Sequence, residues 1–238
     1  TEKVVDFYRE RARGQVGLII AGAAGVDPVR VNQTGMMQIY DDRFIAPMKK
    51  LTEAVHQEGG KIFLQLMHAG AYARQDEHRG QKAVAPSEYV CNFTREKTEA
   101  LTAEEIRRII SYFRDGALRA KAAGFDGVEL IGSAGYLIAE FLSKAVNHRT
   151  DAYGRGLVGR TRFLQEILDA VREAVGKEYP IMVRLSGADF IPGGNGPEDA
   201  AAIAGLIEKK ADAINITGGW HESQVPQITY NVPDGTLF

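Results

Sequence analysis

Five short apolar runs, each followed by glycine, serine or alanine, recur along the chain and alternate with helical patterns. The runs read VGLIIAG, KIFLQLMHAG, DGVELIGSAG, PIMVRLSG and DAINITGG. Apolar runs that alternate with amphipathic helices predict β/α units and a parallel sheet that is buried on both faces. The small residues after each run place the functional loops at the carboxyl ends of the strands, as in a (β/α)₈ barrel or a doubly wound sheet.

The intervening helices show where they begin and which face they bury. Thr102 and Glu105 have the spacing of a capping box, and Pro197 suits the first turn of a later helix. Apolar residues recur at helical spacing in three sets: Ile106, Ile109, Ile110, Phe113 and Ala117; Leu164, Leu168, Val171 and Val175; Ile203, Leu206 and Ile207.

The arrangement of units predicts one α/β domain over residues 1–238. The sequence opens on a helical segment, EKVVDFYRERARG, without a strand before it, and it ends at PDGTLF, where the next helix is expected. We therefore expect an incomplete (β/α)₈ TIM barrel of about five β/α units, lacking the first strand and the last two. The alternative is an open five-stranded sheet. The incomplete barrel is preferred because the segment before Gly14 resembles the second half of a β/α unit.

Charge and cysteine content exclude several classes of protein. A formal net charge of -2 gives no electrostatic case for binding nucleic acid or an acidic membrane surface. The single cysteine, Cys91, excludes an intrachain disulfide and a four-cysteine metal or iron–sulfur site, and it suits a reducing compartment. The longest apolar stretch, at 17–25, is too short to span a membrane. We expect a cytoplasmic protein that acts on a small molecule, and the oligomeric state stays open.

Two polar side chains interrupt apolar strands. Gln65 offers two donors and an acceptor, which match the mixed edge of a flavin pyrimidine ring; the alternative is a core amide bonded to backbone. Arg184 cannot lose its proton, so a buried guanidinium needs an anionic partner. That partner is either a reduced flavin, which is anionic near N1, or a carboxylate such as Glu129 or Glu140.

Two further candidates follow strands. Tyr136 carries a phenol that can protonate a developing carbanion, and the alternative is a tyrosine that only packs. His221 follows the only tryptophan, Trp220, and can hydrogen-bond a carbonyl oxygen that gains charge. A lone histidine at such a place is more often a surface or cap residue. The long loop from His68 to Leu101 has no strong periodicity, and such loops usually shape an active site.

The segments GYLIAEFLSKAVNHRTDAYG, LQLMHAG, MVRLSG and GGWHESQVPQI resemble the old yellow enzyme family of FMN-dependent oxidoreductases. Within that family the chain is most similar to the 2,4-dienoyl-CoA reductase and 2-enoate reductase branch. The resemblance covers nearly the whole chain, in order. It implies a (β/α)₈ barrel with FMN lying across the carboxyl ends of the strands.

The resemblance implies a cofactor site made of four residues. Gly22 and Ala23 match the small residues, placed after a strand, that let the flavin ring approach the backbone. Gln65 matches the flavin-binding glutamine, and Arg184 matches the arginine near flavin N1 and O2. Phosphate-binding loops after the last two strands of the barrel are not expected in this sequence, so we expect weak FMN binding or none.

The resemblance also implies catalytic and substrate-binding residues. Tyr136 matches the proton-donating tyrosine, and His221 matches the second active-site residue of the dienoyl-CoA reductases. Glu222, Ser223 and Gln224 fall where that group lines its substrate site.

One departure from the family pattern affects the expected substrate contacts. Ile131 and Ala134 occupy the positions where ene-reductases of the family carry His and Asn or His, the pair that holds the substrate carbonyl. His221 is then the remaining candidate for that oxygen.

The expected function is FMN-dependent reduction of activated C=C bonds, in enoyl or dienoyl thioesters, 2-enoates or enones. Flavin N5 would supply the hydride, Tyr136 the proton, and NAD(P)H the electrons. FAD and a 4Fe–4S cluster are possible only in a further C-terminal part. Two alternatives remain: a flavin-dependent amine or N-methyl demethylase on the same barrel, and an inactive barrel fragment.

Overall fold

A parallel β-sheet with helices along one face forms the body of the molecule. The computed structural model describes residues 1–30, 36–77 and 80–223. Its helices are α1 (Glu2–Arg13), α2 (Ile45–Gln57), α3 (Ala103–Ala122), α4 (Leu137–Leu142), α5 (Gly156–Val175) and α6 (Pro197–Ile207).

Among the described residues, the main sheet has six parallel strands. Strands of the described ranges are β1 (Ile19–Gly25), β2 (Met37–Gln38), β3 (Ile62–Met67), β4 (Val84–Ala85), β5 (Glu99–Ala100), β6 (Gly127–Gly132), β7 (Ile181–Ser186) and β8 (Ala213–Thr217). The order in the main sheet is β2-β1-β3-β6-β7-β8, and β4 pairs with β5 in a separate two-stranded sheet. The five predicted strands are confirmed as β1, β3, β6, β7 and β8. The short strand β2 and the β4–β5 pair were not predicted.

Alternation along each strand separates a helix-facing layer from an inner face. In β3, Ile62, Leu64 and Leu66 are fully buried and join the large core that the helices cover. Because successive side chains point to opposite faces of a strand, Gln65 and Met67 lie on the inner face. The same alternation places polar side chains of β6, β7 and β8 on that face too.

The helices cover the outer face of the sheet as their sequence patterns predict. The capping box of Thr102 and Glu105 is present at the start of α3, and Pro197 begins α6. Helix α5 buries Leu164, Leu168 and Val171 completely. Within the described ranges, no helix combines the length and apolar character that a membrane crossing requires.

Candidate active site

Strand β1 brings its backbone unusually close to Gln65. The register between β1 and β3 shifts between Ala21 and Ala24, and the intervening Gly22–Ala23 peptide is cis. A Cβ atom at position 22 would lie 2.6 Å from Cβ of Gln65, so only glycine fits there. The prediction that Gly22 and Ala23 follow the strand is wrong, because β1 continues to Gly25 through the irregular register.

A buried hydrogen-bond network connects three strands beneath this point. Gln65 Nε2 donates to Glu129 Oε2 at 2.5 Å, and Asn215 Nδ2 donates to Glu129 Oε1 at 2.8 Å. Glu129 is fully buried. The amide of Gln65 is thus bonded to a side chain, in contrast to the alternative that it bonds only neighbouring backbone.

Arg184 occupies the next row of the same inner face. It pairs in register with Ile131 of β6 and with Asn215 of β8, and its side chain is half-buried. Neither carboxylate considered as its partner is bonded to it: Glu129 accepts from two amides, and Glu140 accepts from the backbone of Ala71. Among the residues that the structure describes, no carboxylate forms an ion pair with Arg184.

Tyr136 and His221 meet at the carboxyl edge of the sheet. The Tyr136 hydroxyl lies 3.1 Å from Nε2 of His221. Tyr136 comes directly before α4, in the loop that follows β6, and only 9% of its surface is exposed. Partial burial lowers the pKa of His221 below its ordinary value, so the imidazole is neutral at pH 7.

The backbone at Trp220 positions His221 beside Tyr136. The indole is 1% exposed, and its backbone forms a parallel bridge with Ala134. The next amide, that of His221, donates to the carbonyl oxygen of Ala134 at 3.2 Å. The loop after β8 is therefore attached to the loop after β6, and this attachment places His221 beside Tyr136.

Two aromatic residues that were not predicted complete this cluster. The Tyr72 ring lies 5.6 Å from Tyr136 and 5.2 Å from His221 between centroids, and Phe93 lies 5.6 Å from His221. A side chain at Gly135, where φ is +88°, would collide with the Tyr72 hydroxyl. Both aromatic residues come from the long loop between β3 and α3, where no periodic pattern marks them.

Buried polar groups hold the short turn Gly70–Tyr72 in place. The amide of Gly70 donates to Nδ1 of His68 at 3.1 Å, and the amide of Ala71 donates to Oε1 of Glu140 at 2.7 Å. The other ring nitrogen of His68 lies 3.0 Å from Asp27 Oδ2. Since Nδ1 accepts from Gly70, Nε2 carries the proton and donates it to Asp27.

Besides His221, three residues are predicted to line the substrate site, and two of these three lie within the described residues. The Glu222 carboxylate accepts from the backbone amide of Asn92 at 3.2 Å and lies 3.5 Å from the Cys91 sulfur. Ser223 Oγ donates to the carbonyl oxygen of Trp220 at 2.8 Å. Glu222 thus joins the loop after β8 to the loop that carries Phe93. Gln224 lies outside the described residues.

The cofactor and catalytic candidates adjoin one surface. Met67, Ile131 and Tyr136 belong to one buried cluster, against which Ala23 packs. Gln65 and Arg184 lie on the inner face of the sheet, each at the fourth of the six positions of its strand. Tyr136 and His221 thus lie at the carboxyl edge of the sheet, while Gln65 and Arg184 lie within β3 and β7 on its inner face.

A protein-family model for the NADH:flavin oxidoreductase / NADH oxidase family matches residues 1–234. The chain belongs to this family. The predicted relationship to the old yellow enzymes is confirmed by this match and by the fold of an old yellow enzyme homologue from Zymomonas mobilis, which is 31% identical with a TM-score of 0.83 over 91% of this chain and 63% of that chain.

Two curated relatives share much of the sequence. A metal reductase of Desulforamulus reducens is 51% identical over 236 residues, covering 99% of this chain and 35% of that protein. An NADH oxidase of Thermoanaerobacter brockii is 41% identical over 225 residues, covering 94% of this chain and 35% of that protein. The chain spans about a third of the length of these relatives.

The fold is similar to that of a solved 2-naphthoyl-CoA reductase in complex with 2-naphthoyl-CoA. The TM-score is 0.88 at 33% identity, with 93% of this chain and 36% of that chain covered. The predicted fold class, an α/β barrel represented here by part of its β/α units, is confirmed.

Proposed function

We propose that this chain is the FMN-binding barrel part of an oxidoreductase that reduces activated C=C bonds. The observation that carries the proposal is the hydrogen-bonded pair of Tyr136 and His221 at the edge of a sheet whose inner face presents Gln65 and Arg184. A proton donor at that place, next to groups suited to a flavin, fits the reduction of an alkene conjugated to a carbonyl group.

The residues present fit FMN. Gly22 leaves no side chain between the β1 backbone and Gln65, and Ala23 is small. Arg184 forms no ion pair with a described carboxylate, so it can face the anionic side of a reduced flavin. Gly22, Ala23, Gln65 and Arg184 would hold the ring, and FMN, when bound, supplies hydride chemistry at N5 with NAD(P)H as the source of electrons.

Tyr136 is proposed to donate its phenolic proton to the substrate carbon that becomes a carbanion. A phenol has an ordinary pKa of about 10, so it is protonated at neutral pH and can be reprotonated from solvent. The buried ring of Tyr72 packs edge-on against Tyr136 and limits the access of water to the hydroxyl. Excluding water from such a site strengthens the electrostatic interactions within it.

His221 is proposed to donate its N–H to the substrate carbonyl oxygen, which gains negative charge as the alkene is reduced. A neutral imidazole has one N–H donor, and its lowered pKa keeps it in that form. Glu222 and Ser223 hold the loop that carries it. Direct contacts of Glu222, Ser223 and Gln224 with the substrate stay predictions, as do a cytoplasmic location and any C-terminal FAD or 4Fe–4S part.

The test combines a spectrum with a reaction. The intact oxidoreductase that contains this barrel part should show flavin absorption bands, and after anaerobic photoreduction it should be reoxidised by an enoyl thioester, a 2-enoate or an enone. A second outcome is a protein that shows flavin bands, is not reoxidised by any of these acceptors, and releases formaldehyde from methylated amines. That result would contradict alkene reduction and indicate amine oxidation. An intact oxidoreductase without flavin, even after incubation with FMN, would contradict the proposal.

A further inference from the structure

Glu129 is a buried carboxylate whose hydrogen bonds go to two amides. Both of its oxygens are used, one by Gln65 Nε2 and the other by Asn215 Nδ2. Among the described residues, no Lys, Arg or His forms an ion pair with it. Burying a carboxyl group costs free energy unless its oxygens are hydrogen-bonded. An apolar side chain would fill this place at lower cost, so we expect a role of Glu129 other than packing.

Both oxygens of Glu129 accept from amide nitrogens, and this fixes how the Gln65 amide is turned. The NH₂ group must face Glu129, so the carbonyl oxygen Oε1 faces away from it. Oε1 lies 3.1 Å from the position that a Cβ atom of Gly22 would take, and no described residue donates a hydrogen bond to it. Gln65 therefore presents a free acceptor toward the Gly22–Ala23 segment.

We infer that Glu129 and Asn215 are positioning residues that select a ligand with an imide N–H group. They hold Gln65 so that its carbonyl oxygen accepts from that N–H, which in an isoalloxazine is N3–H. Asn215 acts indirectly: it donates to the Glu129 oxygen that does not bind Gln65, and so holds the Glu129 carboxyl group in place. This inference rests on the proposed binding of FMN and deepens it.

The same network keeps Arg184 available to an anion. Arg184 lies on β7, between the strands of Glu129 and Asn215, and it pairs in register with Asn215. Because amides satisfy both oxygens of Glu129, the guanidinium is not drawn into a pair with that carboxylate. The two hydrogen bonds to Glu129 therefore have two effects. They turn the carbonyl oxygen of Gln65 toward the ligand, and they leave the guanidinium of Arg184 available to it.

The decisive measurement compares FMN with N3-methyl-FMN. Affinities for the protein stripped of flavin are obtained from quenching of flavin fluorescence. The intact protein should prefer FMN by about tenfold or more, the value of one well-formed hydrogen bond of roughly 1.4 kcal/mol. In Glu129→Gln the new amide can donate or accept, so Gln65 can turn, and the preference should fall to about twofold or less. Asn215→Ala should also lower the preference for FMN over N3-methyl-FMN.

Met182→Leu serves as the matched control. Met182 pairs in register with Glu129 on the same face and forms no hydrogen bond with it through its side chain. A volume-conserving change there should keep the preference for FMN.

Three outcomes are distinguishable. Equal affinity of the intact protein for the two flavins overturns the inference. This measurement needs no variant, so the inference can still be tested if Glu129→Gln does not fold. An unchanged preference in a folded Glu129→Gln variant overturns it as well. Protein that binds neither flavin contradicts the proposed function, and the inference fails with it.

Discussion

The hydroxyl group of Tyr136 and the imidazole of His221 are hydrogen-bonded at 3.1 Å although 85 positions separate them in the sequence. Each residue follows a different strand, and the Ala134–Trp220 bridge joins the two loops. The pair therefore depends on the parallel order of β6, β7 and β8. A change in either loop should move the proton donor relative to the histidine.

Tyr136→Phe should lower alkene reduction by about 10²–10⁴-fold, the range for loss of a general acid. Flavin binding should stay the same, because the phenol is not among the residues proposed to hold FMN. The measurement is anaerobic reoxidation of the photoreduced protein by an enone in a stopped-flow instrument. Tyr153→Phe is the control, since that hydroxyl donates to Glu166 on α5, away from the site. Equal reoxidation rates for wild type and Tyr136→Phe would remove Tyr136 from the mechanism.

His221→Asn should lower turnover by about 10²–10³-fold, as loss of one donor to a developing oxyanion does elsewhere. Because the pKa of His221 lies below its ordinary value, the imidazole is already neutral at pH 7. The wild-type to variant ratio should therefore be constant from pH 7 to pH 8. A ratio that changes steeply over this interval, measured with the same enone, would show that a titrating His221 is involved instead.

Much of the fold could be predicted because local patterns determine it. The strand that carries Gln65 is an apolar run bounded by glycines, and the helix that begins after Thr102 has its capping box in the sequence. Strand β2 is two residues long, Met37 and Gln38. No run of that length carries a pattern, and its pairing depends on the position of β1.

The site was predicted less completely, for reasons of register and long-range contact. Tyr72 lies beside Tyr136 in a turn whose backbone donates to Glu140, from α4. Glu129 was considered as a partner of Arg184, but its carboxylate is bonded to amides on β3 and β8. Neither relationship is visible before the strands are placed side by side.

Glu140 should make stability fall as pH rises. Burial is the largest cause that raises the pKa of this carboxyl group well above its ordinary value, and Glu222 adds to the shift, while the Ala71 amide opposes it. In the unfolded state Glu140 loses its proton above a pH of about 4.3, whereas in the folded state it keeps the proton to a higher pH. The free energy of unfolding therefore decreases as pH increases from about 4.3 to the pKa of Glu140 in the folded state. Glu140→Gln keeps an oxygen for Ala71 and cannot ionise, so its free energy of unfolding should lack this decline.

Glu140→Ala is the matched comparison for that variant. It leaves the buried Ala71 amide without its acceptor, which costs about 1–3 kcal/mol at any pH. Urea unfolding of the three proteins between pH 5 and pH 8 separates the two effects. Parallel pH profiles for wild type and Glu140→Gln would contradict a protonated Glu140.

Gly22→Ala should remove flavin from the protein and destabilise it. The added Cβ would lie 2.6 Å from Cβ of Gln65, so either β1 or β3 must shift, at a cost of about 1–3 kcal/mol for overpacking. Gly205→Ala is the control, because a Cβ there meets no atom within 4 Å and replaces glycine in α6. That variant should keep its flavin and gain up to about 1 kcal/mol from helix propensity. Flavin content after gel filtration and the midpoint of urea unfolding give both answers. A Gly22→Ala protein with full flavin and wild-type stability would show that β1 does not approach Gln65 in this way.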